Sequence, residues 1–336
     1  MISRNAEALF WIGRYMERAE NHARLIDVHY HLQAEEPLAA LQAQPDGGAP
    51  GGSLLGKWAR IVDALGSRAS YEQQYGAYKE SDVLHYVTLD RDNPNSLVSC
   101  VNYARGNVRT LREKLPAEVW DIANGFYLWL REKQPSDLIR ESPHAFFGRV
   151  KEWTALFQGT LHSVMPRENE WYFIACGRYL ERTENTLRII RSAGLASPEG
   201  ANAMDGYDPV YPYLQAVLRS VSAYQPFRRY YADGFSLESI VEFLVLSPVF
   251  PRSVHFSLHA LDEHLRGIEL SDKTMRVRHD RVLRQIAKLT ADLNCLEREE
   301  LSPRGEAIVV SHLLQTVNQL GALFAQTFFR AGEASA

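Results

Sequence analysis

Gly13-Arg14-Tyr15-Met16-Glu17-Arg18-Ala19-Glu20-Asn21-His22-Ala23-Arg24-Leu25-Ile26 and Gly177-Arg178-Tyr179-Leu180-Glu181-Arg182-Thr183-Glu184-Asn185-Thr186-Leu187-Arg188-Ile189-Ile190 are two versions of one phrase. They lie 164 residues apart, and nine of the fourteen positions are identical. The shared pattern is GRYxERxENxxRxI. At about 100° per residue, Ile12, Tyr15, Met16, Ala19, Ala23 and Ile26 fall on one side of a helix, an ordinary apolar stripe. Gly13, Arg14, Glu17, Arg18, Glu20, Asn21 and Arg24 cover the other side. Water accepts any polar group, so a solvated face has no reason to keep the same side chains twice. The charged face matches at least as well as the apolar one, which predicts fixed partners for its groups.

Electrostatics sharpen that expectation. Glu20 and Arg24 stand four apart in the favourable order, worth roughly 0.2–0.5 kcal/mol on an exposed helix. Arg14 and Arg18 are four apart with like charge, unfavourable by a similar amount, and Arg178 and Arg182 repeat the clash. Something negative outside each helix must face each arginine pair, and the other copy's glutamates are the nearest supply. Guanidinium forks bind carboxylates in bidentate fashion. One reading is therefore an interlocked network that fixes how two halves dock. Gly13 and Gly177 fit it, since a missing side chain lets another helix come close. The other reading is a ligand site. In it Arg14, Arg18, Asn21, Arg24, Arg178, Arg182, Asn185 and Arg188 hold a carboxylate or phosphate. Glu17, Glu20, Glu181 and Glu184 then hold an amine, orient it as a nucleophile or act as weak bases. A glutamate between arginines has a lowered pKa and makes a poor general acid at neutral pH.

Helix signals dominate the rest of the chain. Leu54 to Leu65 and Val83 to Leu89 read as helices, and Gln44 to Ser53 (QPDGGAPGGS) as a loop. Pro94 is expected near the first position of a helix through Leu111, and Pro251 at the start of one towards Leu265. Ser142-Pro143, Asp208-Pro209, Ser236, Ser271-Asp272 and Ser302-Pro303 mark further helix starts. No period-2 strand pattern appears. Val83–Leu89 echoes Ile240–Leu246 at offset 157, where Pro94-Asn95-Ser96-Leu97 also meets Pro251-Arg252-Ser253-Val254. The expected fold is an all-α helical bundle of two tandem pseudo-symmetric halves, residues 1–166 and 167–336, with about six helices each. The motif helices are expected to face each other across a pseudo-twofold axis.

Composition excludes several classes. The 336 residues are 46% hydrophobic and 23% charged with net charge −4, which is globular rather than disordered and lacks a nucleic-acid footprint. Cys100, Cys176 and Cys295 are scattered, without metal-ligand or disulfide spacing. No signal-peptide run is seen, and no stretch approaches the roughly 20 apolar residues of a membrane span. A cytoplasmic location follows as an expectation, with no membrane and no nucleic acid as partner. Self-association stays open. No phosphate loop or nucleophile elbow appears, and no cofactor is expected.

Four groups remain to be weighed. His255, His259 and Glu263 fall at i, i+4 and i+8, a spacing that can share a metal. The first half has Val98, Asn102 and Gly106 there, so solvated or capped histidines are the plainer reading. The Glu-x-x-Glu pairs have the wrong partner for a di-iron bundle, which uses Glu-x-x-His, and flanking arginines repel a cation. No metal is expected. Trp171, Tyr172, Phe173 and Tyr179 read as core. Tyr224 to Tyr231 (YQPFRRYY) reads as a loop over the core or as a partner-facing patch with cation–π contacts.

The stretches SRNAEALFWIGRYMERAENHAR and ERTENTLRII carry a family likeness. So do the DRDNPNS turn with its Ala-Arg helix, Glu118-Val119-Trp120, and Phe250-Pro251-Arg252-Ser253-Val254. Together they resemble the bacterial alpha-E domain family over nearly the whole chain. The resemblance implies an all-helical domain whose genes neighbour, or are fused to, a circularly permuted ATP-grasp protein, often with a transglutaminase-like protein nearby. It implies a role as an accessory or co-catalytic subunit of an ATP-dependent peptide or amide ligase system. It carries that role onto Arg14, Glu17, Arg18, Glu20 and Asn21 and onto Arg178, Glu181, Arg182, Glu184 and Asn185. A non-catalytic scaffold whose motifs only lock the halves is the competing expectation.

Overall fold

The computed structural model describes residues 3–35, 57–140, 142–194, 210–231, 234, 236–301 and 306–329. The expected starts at Asp208-Pro209 and Ser302-Pro303 and the loop Gln44 to Ser53 lie outside these residues. The described part is all-α, with no strand. In chain order the helices are α1 (Ser3–Glu35), α2 (Lys57–Ala64), α3 (Arg68–Tyr75), α4 (Glu80–Thr88), α5 (Leu97–Thr110), α6 (Ala117–Arg131), α7 (Pro135–Arg140) and α8 (Pro143–Val164). Then come α9 (Asn169–Gly194), α10 (Val210–Ser220), α11 (Tyr224–Tyr230), α12 (Leu237–Leu246), α13 (Val254–Arg266), α14 (Lys273–Asn294) and α15 (Glu306–Phe328). This exceeds six per half because short helices such as α7 and α11 occupy stretches without clear periodicity.

The two motif helices, α1 and α9, pack against each other more extensively than any other pair. Around α1, the helices α5, α6 and α8 close a four-helix ring, α1 to α5 to α6 to α8 and back. Around α9, the helices α13, α14 and α15 close another in the same chain order. The short helices cross over: α2 packs mainly on α9, and α10 mainly on α1. Phe126, Phe147, Val150 and Phe157 fill the first ring, and Leu258, Val282, Ile286 and Phe324 the second. Each such side chain contributes roughly 1.5–3 kcal/mol on burial.

Helix α1 explains why both of its faces matter. Ile12, Met16, Ala19, Ala23 and Ile26 are buried, as the apolar stripe requires. Arg14, Glu17, Glu20 and Asn21 on the opposite side are buried too, so the charged face meets α9 rather than water. The crossing is set by Gly13 and Gly177. A Cβ on Gly13 would lie 2.0 Å from the Ile174 carbonyl oxygen, and one on Gly177 would lie 2.0 Å from that of Phe10. Only glycine fits at either point.

Two start sites differ from expectation in the same way. α5 begins at Leu97 and α13 at Val254, each capped by a serine, Ser96 or Ser253, whose hydroxyl accepts from the amide of Ser99 or Phe256. Pro94 and Pro251 lie before the caps, in turns that push Asn95 and Arg252 towards the motif helices. Ser142, Ser236 and Asp272 cap α8, α12 and α14 as expected. Helix α15 corrects another expectation: Ala307–Phe328 is long and apolar enough to cross a membrane by length and composition. Its exposed face carries Ser311, Gln315, Asn318 and Gln319, so few charges mark it as amphipathic. Val310, Leu313, Val317, Leu320 and Phe324 on its other face are buried.

Candidate functional site

The α1/α9 contact buries a network of carboxylates and guanidinium groups. Glu181 lies between the arginines of the first motif. Arg18 donates to it through Nε at 2.7 Å and Nη2 at 2.9 Å, and Arg14 Nε stands 2.7 Å away. Glu17 mirrors this. Arg182 donates to it through Nε and Nη2, both at 2.8 Å, and Arg178 Nε lies 3.5 Å away. Each copy's first glutamate is thus held by the other copy's arginines, which answers the like-charge clash along each helix. Burial would raise the pKa of Glu17, but Arg182, Arg252 and Arg178 outweigh it and hold the carboxyl at about 2. Burial opposes and Arg14 and Arg18 prevail in the same way at Glu181, which is held well below the usual carboxylate range.

The second glutamates depart from symmetry. Glu184 takes a bidentate pair from Arg14, at 2.8 and 3.0 Å, and a third bond from Arg188 at 2.7 Å. Its counterpart Glu20 takes Arg24 at 2.7 and 2.9 Å, but not Arg178. Arg252 holds Glu20 instead, and also donates to Asn21 at 2.9 Å and Glu17 at 3.2 Å. The residue matching Arg252 in the first half is Asn95. It is neutral, accepts from Arg18 at 3.1 Å, and anchors to Leu65 and Ser67. Gln158 from α8 completes the cluster, donating to Glu17 and Glu20 at 3.3 and 3.1 Å.

All four glutamates and six motif arginines meet in this one place. Asn21 joins them; Asn185 is buried, but its side chain makes no hydrogen bond to the described residues. Arg252, Asn95 and Gln158 were not singled out as site residues from the sequence. The first two had a signal, since they align at offset 157 in the two Pro-x-Ser turns. Gln158 had none, being one polar residue on a mixed helix. His22 is buried beside Arg18. Burial first, then Arg18, lowers its pKa to about 3, so it is neutral at physiological pH.

A cavity of about 400 Å³ opens beside the cluster, between α1, α8, α9 and α13. Gly13 and Met16 form its inner edge, Phe157, Leu161, Ile174 and Ala175 its apolar floor, and Trp171, Tyr172 and Tyr179 one wall. Trp171 and Phe173 are buried as expected of core, whereas Tyr172 and Tyr179 are half-buried at the cavity. Arg178 lines this space as well. The His255 face does not form a metal site: His255 pairs with Asn294 at 2.8 Å, and no group of three or more His, Cys, Asp or Glu could hold a metal among the described residues. Glu263 and His264 instead line the cavity. The YQPFRRYY stretch is a helix rather than a loop. Phe227 is buried and stacks on Tyr231 at 4.7 Å, while Tyr230 faces solvent.

No solved structure matches the chain. Uncharacterized proteins of Mycobacterium bovis and Mycobacterium tuberculosis are 24% identical to it over 331 residues. The match covers 92% of this chain but 34% of each of theirs, so the chain spans about a third of the length of these relatives. A family model described as a predicted alpha-helical domain with a conserved ER motif matches residues 1–329. The ER pair occurs here twice, as Glu17-Arg18 and Glu181-Arg182, at the centre of the reciprocal network. The chain belongs to the Alpha-E family.

Proposed function

We propose that this chain is a non-catalytic accessory subunit of an ATP-grasp-dependent peptide or amide ligase system, built from two halves, 1–166 and 167–336, clasped by the twin motifs. The observation that carries the non-catalytic reading is the saturation of the motif glutamates. Glu17 and Glu181 accept bidentate pairs, are buried, and stay ionised far below neutral pH. Neither has a lone pair facing solvent for a substrate amine. Buried ion networks give little net stability but are costly to break, and they suit a role in fixing register. Chemistry then belongs to a partner, a circularly permuted ATP-grasp protein, with a transglutaminase-like protein in the same system. The greater length of the mycobacterial relatives supports a domain that works beside others. Free cysteines, two of them buried, support a reducing cytoplasmic setting.

The test is ATP turnover by the reconstituted ATP-grasp neighbour with and without this chain. The wild-type chain is expected to raise turnover. Glu17→Gln is expected to lose that effect only as far as it loses folded protein, with stability falling by about 3–5 kcal/mol. Unchanged turnover at every ratio of the two proteins sinks the proposal. A Glu17→Gln variant that melts like wild type yet gives no stimulation would make Glu17 a direct participant. The scaffold alternative draws on the same buried pairing and predicts a stable complex without any change in turnover.

A further inference from the structure

We propose that the cavity beside Arg178 is a binding site for a small carboxylate with a flat or branched apolar body, such as an aromatic or branched-chain acid. This does not rest on the ligase reading.

The first argument is charge. Among the described residues, the Glu17, Glu20, Glu181 and Glu184 carboxylates are ion-paired by seven guanidinium groups: Arg14, Arg18, Arg24, Arg178, Arg182, Arg188 and Arg252. That leaves an excess of three positive charges. Arg24 and Arg188 sit at the edges, each satisfied by its own i,i+4 glutamate. Arg178 differs. Its single ion pair is the long one, 3.5 Å from Nε to Glu17, and its side chain makes no hydrogen bond to the described residues. Its Nε is buried facing Glu17, and neither of its Nη atoms is hydrogen-bonded to the described residues. A guanidinium left with open donors at the wall of a cavity is a ready partner for an anion.

The second argument is how that state arises. Arg14, the counterpart of Arg178, turns into the network and takes Glu184 with both Nη atoms. Arg178 has no such place, because Arg252 already holds Glu20. The space around Arg178 is also open for an identifiable reason. Ala175 corresponds to Trp11, whose ring lies 5.7 Å from the Arg14 guanidinium and stacks on Tyr15 at 5.0 Å. Alanine places no ring at that position, and Ala175 lines the cavity together with Phe157 and Ile174.

The third argument selects the ligand. Pockets of roughly 300–1,000 Å³ hold small molecules, and about 400 Å³ suits one of modest size. Most of the remaining lining is apolar or aromatic; half-buried Gln158 and His264 and exposed His162 and Glu263 are the other polar groups, and Glu263 carries a carboxylate of its own. Arg167 adds no second anion donor at depth: it stacks 3.8 Å from the Trp171 ring and spends its Nη atoms on the carbonyls of Met165 and His162. One free fork matches one carboxylate, whereas a phosphate dianion would need further donors.

The experiment is fluorine NMR on the full chain, with 4-fluorophenylacetate as probe, 4-fluorophenylacetamide as the uncharged control and inorganic phosphate as competitor. Saturable broadening of the acid is expected, with the amide binding at least about tenfold more weakly. Arg178→Met should cost the acid about tenfold or more, and Ala175→Trp should abolish binding of both probes. Melting curves establish that each variant is folded, and Arg178→Met carries the test if Ala175→Trp is not. The proposal is overturned by absence of saturable broadening up to about 10 mM. It is equally overturned by an amide that binds as well as the acid, by unchanged binding in Arg178→Met, or by phosphate displacing the probe at equal concentration.

Discussion

Arg14 and Arg178 occupy the same position in the two motifs, yet one is locked and the other is loose. Arg14 reaches two glutamates with three nitrogens, while Arg178 reaches one at 3.5 Å. The neighbouring sequence is identical on both sides, GRY followed after one residue by ER. What differs lies elsewhere: Asn95 against Arg252, and Trp11 against Ala175. The lesson is that a repeated motif can keep its side chains and change its task, because the task depends on who else claims the partner. In the first copy a neutral Asn95 leaves Glu184 to Arg14. In the second a charged Arg252 claims Glu20 and releases Arg178.

The largest expected effect breaks that comparison directly. Arg14→Met should lower stability by about 3–5 kcal/mol, because Glu184 and Glu181 are left short of a buried counter-charge. Arg178→Met should lower it by less than about 1 kcal/mol, since it removes one long, partly solvated pair. Denaturant unfolding of the two variants measures the difference, and equal losses would mean that Arg178 belongs to the clasp.

Acid sharpens the comparison next. Glu17 titrates at about 2 folded against a reference of 4.5. Its contribution is therefore complete above pH 4.5 and is lost as pH falls towards 2, on the order of 3 kcal/mol. Glu181 acts in the same direction. His22 adds an earlier loss found only in the first copy, where the second has Thr186. Its folded pKa of about 3 lies below the reference of 6.5. Between those values the unfolded chain binds a proton that the folded chain does not, so stability declines as pH falls below 6.5. Unfolding free energy against pH should show both phases, and His22→Thr should remove only the upper one. An unchanged profile in that variant would refute the assignment.

A loss smaller than that of Arg14→Met is expected where the copies still match. Gly13→Ala and Gly177→Ala each place a Cβ 2.0 Å from a carbonyl oxygen of the facing helix. Forcing α1 and α9 apart should cost roughly 1–3 kcal/mol in either case, and about equally. Thermal melts of the pair measure it. A wild-type melting temperature in one of them would show that the crossing is not as symmetric as its geometry.

Much of this is legible in the sequence. The absence of period-2 runs and the frequent cap signals read as an all-α chain. The arginine pairs Arg14/Arg18 and Arg178/Arg182 demanded outside anions, and paired glycines announced a close crossing. These are local facts, set by helical spacing and by chemistry within one or two turns. The cavity was not legible, because Phe157, Ala175 and Phe256 become neighbours only when α8, α9 and α13 pack. Nor was the exchange at Glu20. The turn containing Arg252 lies 232 residues from Glu20 along the chain, and its direction depends on Ser253 capping α13.

By itself, then, the sequence determined that each arginine pair needed an anion from outside its own helix, since spacing along one helix decides which groups share a side. Only the tertiary structure decided which arginine meets which glutamate and which one is left over. Pairing across helices depends on their rotation and crossing point, and those follow from the packing of side chains far apart in the chain.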